Sequence, residues 1–308
     1  MKQLSSILVV VDRGAEMAGV LRKAAALARQ SGARIELYLC EAEQAYILAH
    51  RYDREGVAQA HADCIAAASA YLRGLAASAQ TPGVEIAVAA ECRSPLYAAI
   101  VAKVLRSRPD LVIKRAATAD AAGHGMTDAN DRQLMRTCPA ALMLTRGTAW
   151  HAPPRFAAAV DVSEAETAGL PEDVLQSAAV LARGWQAQLD ALYGEATSAG
   201  HAHLERLRKL CGEWGIRGDR IQIVPGHPEQ TLPAFAARQD YDVLILGALT
   251  HRPAVAALPG TLTSKLADAL DCDVVLVKPS SYHAPVGERW RRAGGMGLTA
   301  GSPAGRPE

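Results

Sequence analysis

The sequence predicts an α/β protein made of two tandem, doubly wound units, each with five parallel strands. Three observations carry this. Short β-rich runs alternate with helical stretches along the chain, the pattern of a parallel sheet with right-handed crossovers. The pattern occurs twice: Asp110-Leu111-Val112-Ile113 is echoed by Asp242-Val243-Leu244-Ile245, and the run ending in Val11-Asp12 by the run ending in Val160-Asp161. The length, 308 residues, suits about two domains of roughly 150 residues each.

The elements follow in order. Residues 4–12 form a continuous apolar run, as a strand covered on both faces should. Residues 15–30 have helical periodicity and stop at Ser31-Gly32, a C-cap signal. Strand two is 34–40. After the connection 41–54, an Ala-rich helix runs over 55–78 and ends before Thr81-Pro82-Gly83. Strand three is 84–91. Ser94-Pro95 offers an N-cap with proline at N1 for a helix to about Arg106. Strand four is 110–115, the next helix 128–137 and strand five 140–145. Residues 146–154 read as a linker. The second unit repeats the order, with strands at 155–161, 188–193, 220–225, 241–247 and 273–278 and helices at 170–184, 201–214, 228–239 and 261–270.

Matching residues test the repeat. Asp12 to Asp161 spans 149 residues, Asp110 to Asp242 spans 132, and Cys138 to Cys272 spans 134. The second unit has therefore lost about 17 residues, and the connection after strand two is the natural place. Domains are expected at 1–147 and 154–285, with the Gly-, Pro- and Arg-rich residues 286–308 as a disordered tail.

Composition removes several classes. A net charge of +1 argues against a nucleic-acid binder. No apolar run reaches the ~18–20 residues of a membrane span. Residues 1–5 lead directly into a strand, so no signal peptide is expected. The six cysteines form no C-x-x-C and read as small buried residues in a reducing, cytoplasmic setting. His201 and His203, at i,i+2 on a helix, diverge, and no metal site is expected there.

Candidate chemistry gathers in the second unit. Gly247 ends strand four, and Gly260-Thr261-Leu262-Thr263 opens a helix. A glycine at a strand end admits a ligand to the backbone. A glycine and hydroxyls at a helix start expose N–H groups to an anion. Asp161 ends strand one on the same sheet edge, where open α/β sheets bind ligands. An N-cap threonine and a turn glycine without any ligand account for these residues equally well. His251-Arg252 is read as either a phosphate contact or a solvated loop.

This arrangement resembles the universal stress protein family. Its nucleotide-binding members carry G-x-x-G-x9-G-[ST]. Here Gly247 and Gly260-Thr261 match, and Thr250 stands at the middle glycine. The segments 127–139, 110–114, 226–229 and 272–279 extend the resemblance across both units. Arg115 and Met126 are read at the places of Gly247 and Gly260 in the first unit, with a connection of 11 positions against 13. That unit is therefore expected to lack a phosphate loop.

The resemblance implies the universal stress, adenine-nucleotide hydrolase-like fold, with the units paired through their fifth strands as a pseudo-dimer. It implies stress-linked binding and regulation in the cytoplasm, not catalysis. The candidate ligand is ATP or AMP, bound weakly by Asp161, Gly247, Gly260, Thr261 and Thr263. A weak nucleotide hydrolase, a ligand-free scaffold and a binder of an apolar metabolite are the alternatives. No general base is evident near Gly260, and no second carboxylate marks a metal site beside Asp161. No cofactor beyond that nucleotide, no metal, no membrane and no nucleic-acid partner are expected, and homodimerisation is left open.

Overall fold

The computed structural model describes residues 3–13, 15–50, 54–117, 128–163, 166, 169–195, 201–248 and 262–284. Its centre is one ten-stranded sheet. The first half supplies β1 (Ser6–Val10), β2 (Arg34–Cys40), β3 (Ile86–Glu91), β4 (Leu111–Arg115) and β5 (Ala141–Thr145). The second supplies β6 (Arg155–Ala159), β7 (Gln188–Glu195), β8 (Ile221–Pro225), β9 (Val243–Gly247) and β10 (Asp273–Val277). The spatial order is β3-β2-β1-β4-β5-β10-β9-β6-β7-β8. Each half is parallel, and β5 meets β10 antiparallel, with Met143 opposite Val275 at the centre. This is the expected pairing of fifth strands. The order reverses between β1 and β4, and again between β6 and β9, which creates a switch point in each half.

Helices cover both faces, so the strands are apolar on both sides. Ile7 and Val9 of β1 face one core, and Leu8 and Val10 face the other. The first core lies under α1 (Ala18–Ser31), α3 (Arg54–Ser78), α6 (Leu170–Trp185) and α7 (His201–Glu213). The second lies under α4 (Leu96–Ser107), α5 (Ala129–Thr137), α8 (Pro228–Arg238) and α9 (Leu262–Ala269). Gly32 ends α1 in the left-handed region at φ 72°, as its place in the sequence implies.

Three expectations are corrected. The connection after β2 contains a further helix, α2 (Ala42–Ala49), which weak periodicity hides. The N-cap of α4 is Pro95, with no side-chain cap, and Ser94 lies one residue outside. The offset of the repeat is also different. β4 and β9 begin at Leu111 and Val243, and β5 and β10 at Ala141 and Asp273, each pair in the same register (243 − 111 = 273 − 141 = 132). Cys272 therefore matches Ala140 and not Cys138. The connections from Arg115 to β5 and from Gly247 to β10 are equal in length.

The segment read as a linker is packed. Trp150 meets Phe156 and Trp185 edge to face, at centroid distances of 5.5 and 5.0 Å. Its Nε1 donates to Asp273 Oδ2 at 2.9 Å. The same carboxylate accepts from Lys23 Nζ of α1 at 2.5 Å, from Thr145 Oγ1 at 2.9 Å and, through Oδ1, from the Arg146 amide at 2.8 Å. One buried carboxylate thus ties α1, β5, the connecting segment and β10 together.

The repeated Asp before strand four is a latch. Asp110 Oδ2 accepts from the Ser5 and Ser6 amides at 2.8 and 2.9 Å. Asp242 accepts from the Arg155 amide at 2.7 Å and the His151 amide at 3.0 Å. Each aspartate holds the start of strand one against strand four, at the edge opposite the candidate site.

Candidate functional site

At the carboxyl edge of the second half, beside the switch point, a cleft encloses about 680 Å³ of atom-free space, its mouth included. Its walls are largely aliphatic: Ala159 at the end of β6 and Val160 after it, Leu170, Pro171 and Val174 of α6, Leu232 of α8, Leu246 of β9 and Leu266 of α9. Asp161, Gly247 and Thr263 line the same cleft. Three of the five site residues singled out in the sequence therefore meet in one place. Gly260 and Thr261 lie outside the described residues, as do Thr250, His251 and Arg252.

Local chemistry accounts for each. Asp161 is exposed, and its Oδ1 accepts from the Ser163 amide at 2.8 Å, an Asx turn that holds the carboxylate at the strand end. A Cβ on Gly247 would sit 2.9 Å from Leu170 Cδ2, so the missing side chain at this position accommodates Leu170. Thr263 Oγ1 donates to the Gly247 carbonyl at 3.2 Å and fastens the first turn of α9 to the end of β9. Gly194 serves similarly, since a Cβ there would lie 2.7 Å from Pro228 Cγ.

Glu166, which the sequence reading did not single out, lines the cleft with Asp161. It lies five residues on, beyond the strand end, and nothing in the repeat marks it. The aliphatic lining was also missed, because leucines at helical spacing read as ordinary core. Among the described residues, no group of three His, Cys, Asp or Glu side chains is arranged to hold a metal ion. His203 Nδ1 instead meets Tyr193 Oη at 2.9 Å.

The first half has a recess in the equivalent place, and it is lined with charge: Asp12, Arg13, Glu16, Glu41, Glu43, Lys114, Arg115 and Asp128 among others. With the offset of 132, Arg115 matches Gly247 as expected, Lys114 matches Leu246, and Asp131 matches Thr263. The counterpart of Gly260 is Asp128, not Met126, which lies outside the described residues. Asp128 Oδ1 accepts from the Asp131 amide at 2.7 Å and so occupies the start of α5 with a carboxylate. Asp131 is fully buried, 2.7 Å from Lys114 Nζ, and accepts from the Ala117 amide at 2.9 Å. Burial pushes its carboxyl up, and Lys114 pulls it back. Arg115 folds back to donate to the Glu16 carbonyl at 2.9 Å.

Comparison with known proteins agrees with this architecture. Among solved structures, a universal stress protein of Pseudomonas aeruginosa UCBPP-PA14 superposes with a TM-score of 0.70 at 21% identity, covering 96% of this chain and 99% of that one. One from Archaeoglobus fulgidus DSM 4304 gives 0.66 at 13% identity, covering 91% and 98%. The chain has the tandem universal stress protein fold. The resemblance is also carried by sequence. Universal stress protein E of Escherichia coli K12 is 22% identical over 310 residues, 93% of this chain and 98% of the relative. That of Photorhabdus laumondii is 22% identical over 309 residues, with the same coverage. No family model matches the chain. Among the described residues, no helix of this universal stress fold is long and apolar enough to cross a membrane.

Proposed function

We propose that the chain is a cytoplasmic stress-response binding protein, with domains at 1–147 and 154–285, whose second half takes an adenine nucleotide weakly. The observation that carries the reading is the contrast between the two switch points. In the second, an aliphatic cleft suited to a base is bordered by Asp161, Gly247 and Thr263. Gly260 and Thr261, which precede α9 in the sequence and lie outside the described residues, are the residues this reading assigns to the phosphates, since a helix start favours an anion. In the first, Asp128 already places a carboxylate at the matching helix start, and a phosphate would meet like charge. The protein works by binding and does not turn its ligand over.

A second reading has its own support. The cleft walls are mostly aliphatic, and the Thr263 hydroxyl is already used by the Gly247 carbonyl. An apolar metabolite fits such a lining. One experiment separates the two. Protein purified gently without added ligand is analysed by mass spectrometry for what it retains, and then titrated calorimetrically with ATP and AMP. The nucleotide reading expects binding that Gly260→Val and Asp161→Ala abolish and Met126→Val leaves intact. An apolar molecule retained by the protein, with no heat from either nucleotide, establishes the second reading instead.

A further inference from the structure

A second hollow lies at the opposite, amino edge of the second half. It is bounded by the last turns of α6, the start of β7 and the turn that follows α7, and it encloses about 1220 Å³ of atom-free space, its mouth included. Its floor is apolar. Ile216 is buried, and Leu189 and Trp214 are partly buried against the core. Three guanidiniums, those of Arg183, Arg217 and Arg220, line it, and among the described residues no carboxylate does. These cations are not equally free. Arg217 forks onto Asp219, Nε to Oδ1 at 3.1 Å and Nη2 to Oδ2 at 2.9 Å. Arg220 Nη1 donates to Asp190 Oδ1 at 3.2 Å, and Tyr241 Oη fixes that carboxylate from its other oxygen at 2.6 Å. Arg183 is exposed on α6 and has no such partner among the described residues.

The hollow is not part of the repeat. Strand register matches Ile113 with Ile245, Val9 with Ala158, Leu37 with Ala191 and Val88 with Ile221. Arg220 therefore stands where the first half has Ala87. The turn glycines Gly83 and Gly215 match as well, both left-handed, at φ 79° and 74°. Trp214 therefore stands where the first half has Pro82.

We propose that this hollow is a ligand site for an organic monoanion, a small carboxylate on an apolar body, separate from the cleft at the carboxyl edge. Each part of that description follows from one observation. The sign of the ligand follows from three lining guanidiniums without a lining acid. The single charge follows from the pairing: Asp219 and Asp190 already match two of the cations, so one is left for a ligand, and a polyanion would find no more. The apolar body follows from the floor, where Trp214, Leu189 and Ile216 offer surface that a bare inorganic anion would leave wet. Arg183 binds the carboxylate through its planar fork, two parallel N–H···O bonds. Arg217 and Arg220 keep their aspartates and border the body of the ligand.

The test titrates the full chain at neutral pH with octanoate, followed by calorimetry and tryptophan emission. Acetate carries the charge without the body, and octyltrimethylammonium the body with the opposite charge. The expected result is saturable binding of octanoate, with neither control bound comparably, and an emission change that Trp214→Phe removes. Arg183→Glu should weaken octanoate roughly tenfold or more, the loss of one charged contact. Arg183 is exposed, so this variant should fold, and circular dichroism checks that it does. An unchanged affinity in folded Arg183→Glu places octanoate elsewhere, the carboxyl-edge cleft included, and overturns the proposal. So does octyltrimethylammonium or acetate bound as well as octanoate, or no saturable binding of octanoate. Neither outcome bears on the nucleotide reading, whose residues are at the other edge.

Discussion

Replacing Asp273 with asparagine should destabilise the whole chain, and the size of the effect follows from its surroundings. Asp273 is fully buried, and Lys23 is 8% exposed. Their 2.5 Å ion pair joins the two halves. Burial holds the Lys23 ammonium below the usual lysine range, with Asp273 opposing. Asparagine keeps the shape, but its single acceptor oxygen serves either Trp150 Nε1 or the Arg146 amide, not both. It also loses the charge, and Lys23 is then left buried without its partner. Breaking a buried pair in this way costs about 3–5 kcal/mol. At roughly 2–4 °C per kcal/mol, Tm should fall by about 6–20 °C. Adding Lys23→Met removes the stranded ammonium, so the double variant should recover about 2 kcal/mol or more relative to the sum of the singles. Urea unfolding of the four proteins measures the coupling. A cost below about 1 kcal/mol for Asp273→Asn, or single penalties that add in the double variant, would refute the reasoning.

Three further expectations rest on single contacts. Lys278 donates to the Met135 carbonyl at 2.6 Å, and burial lowers its ammonium to about 8; the unfolded chain keeps that proton to pH ~10.4, so stability relative to Lys278→Met should rise by roughly 3 kcal/mol between pH 8 and 10.4. Urea midpoints at pH 7 and 10 check the sign, and an unchanged difference between the two proteins counts against it. A Cβ on Gly184 would sit 2.5 Å from Leu27 Cδ1 where α6 crosses α1; Gly184→Val should therefore cost about 1–3 kcal/mol by chemical denaturation, partly relieved by Leu27→Ala. Steady-state phosphate release from ATP should match a blank and be unaltered by Asp161→Ala, whereas release that the variant abolishes would make the chain a hydrolase.

The strands were legible because buried parallel strands are short β-rich runs whose ends Gly, Pro and Asp mark. β2 was read to the residue. The pairing of the halves was implied only by resemblance, since no residue in β5 or β10 announces an antiparallel neighbour. α2 escaped notice because its one buried residue, Leu48, leaves no stripe. Half of the candidate site was legible. Asp161, Gly247 and Thr263 share a cleft, but Glu166 and the aliphatic walls are brought there by tertiary packing alone. The Cys138–Cys272 match misled by two residues, and that shift put Met126 where Asp128 belongs.

Correcting the register changes what the repeat means. Its most regular polar residue, Asp110 and again Asp242, serves the fold. In both halves it fastens the start of strand one to strand four, on the edge away from any ligand. The functional difference therefore lies where equivalent positions diverge. Three substitutions at the carboxyl edge act in one direction. Leu246 becomes Lys114, Thr263 becomes Asp131, and Gly260 becomes Asp128. The lysine and the buried aspartate form an ion pair, and the second aspartate caps the helix whose start would otherwise face an anion. On the proposed nucleotide reading, the first half supplies from its own side chains the negative charge that the second half would take from a ligand. Neutralising the cap alone, as Asp128→Gly, would free N–H groups without providing an aliphatic cleft beside them. A single substitution should therefore not turn the first half into a second nucleotide site, and calorimetry on that variant should still find at most one.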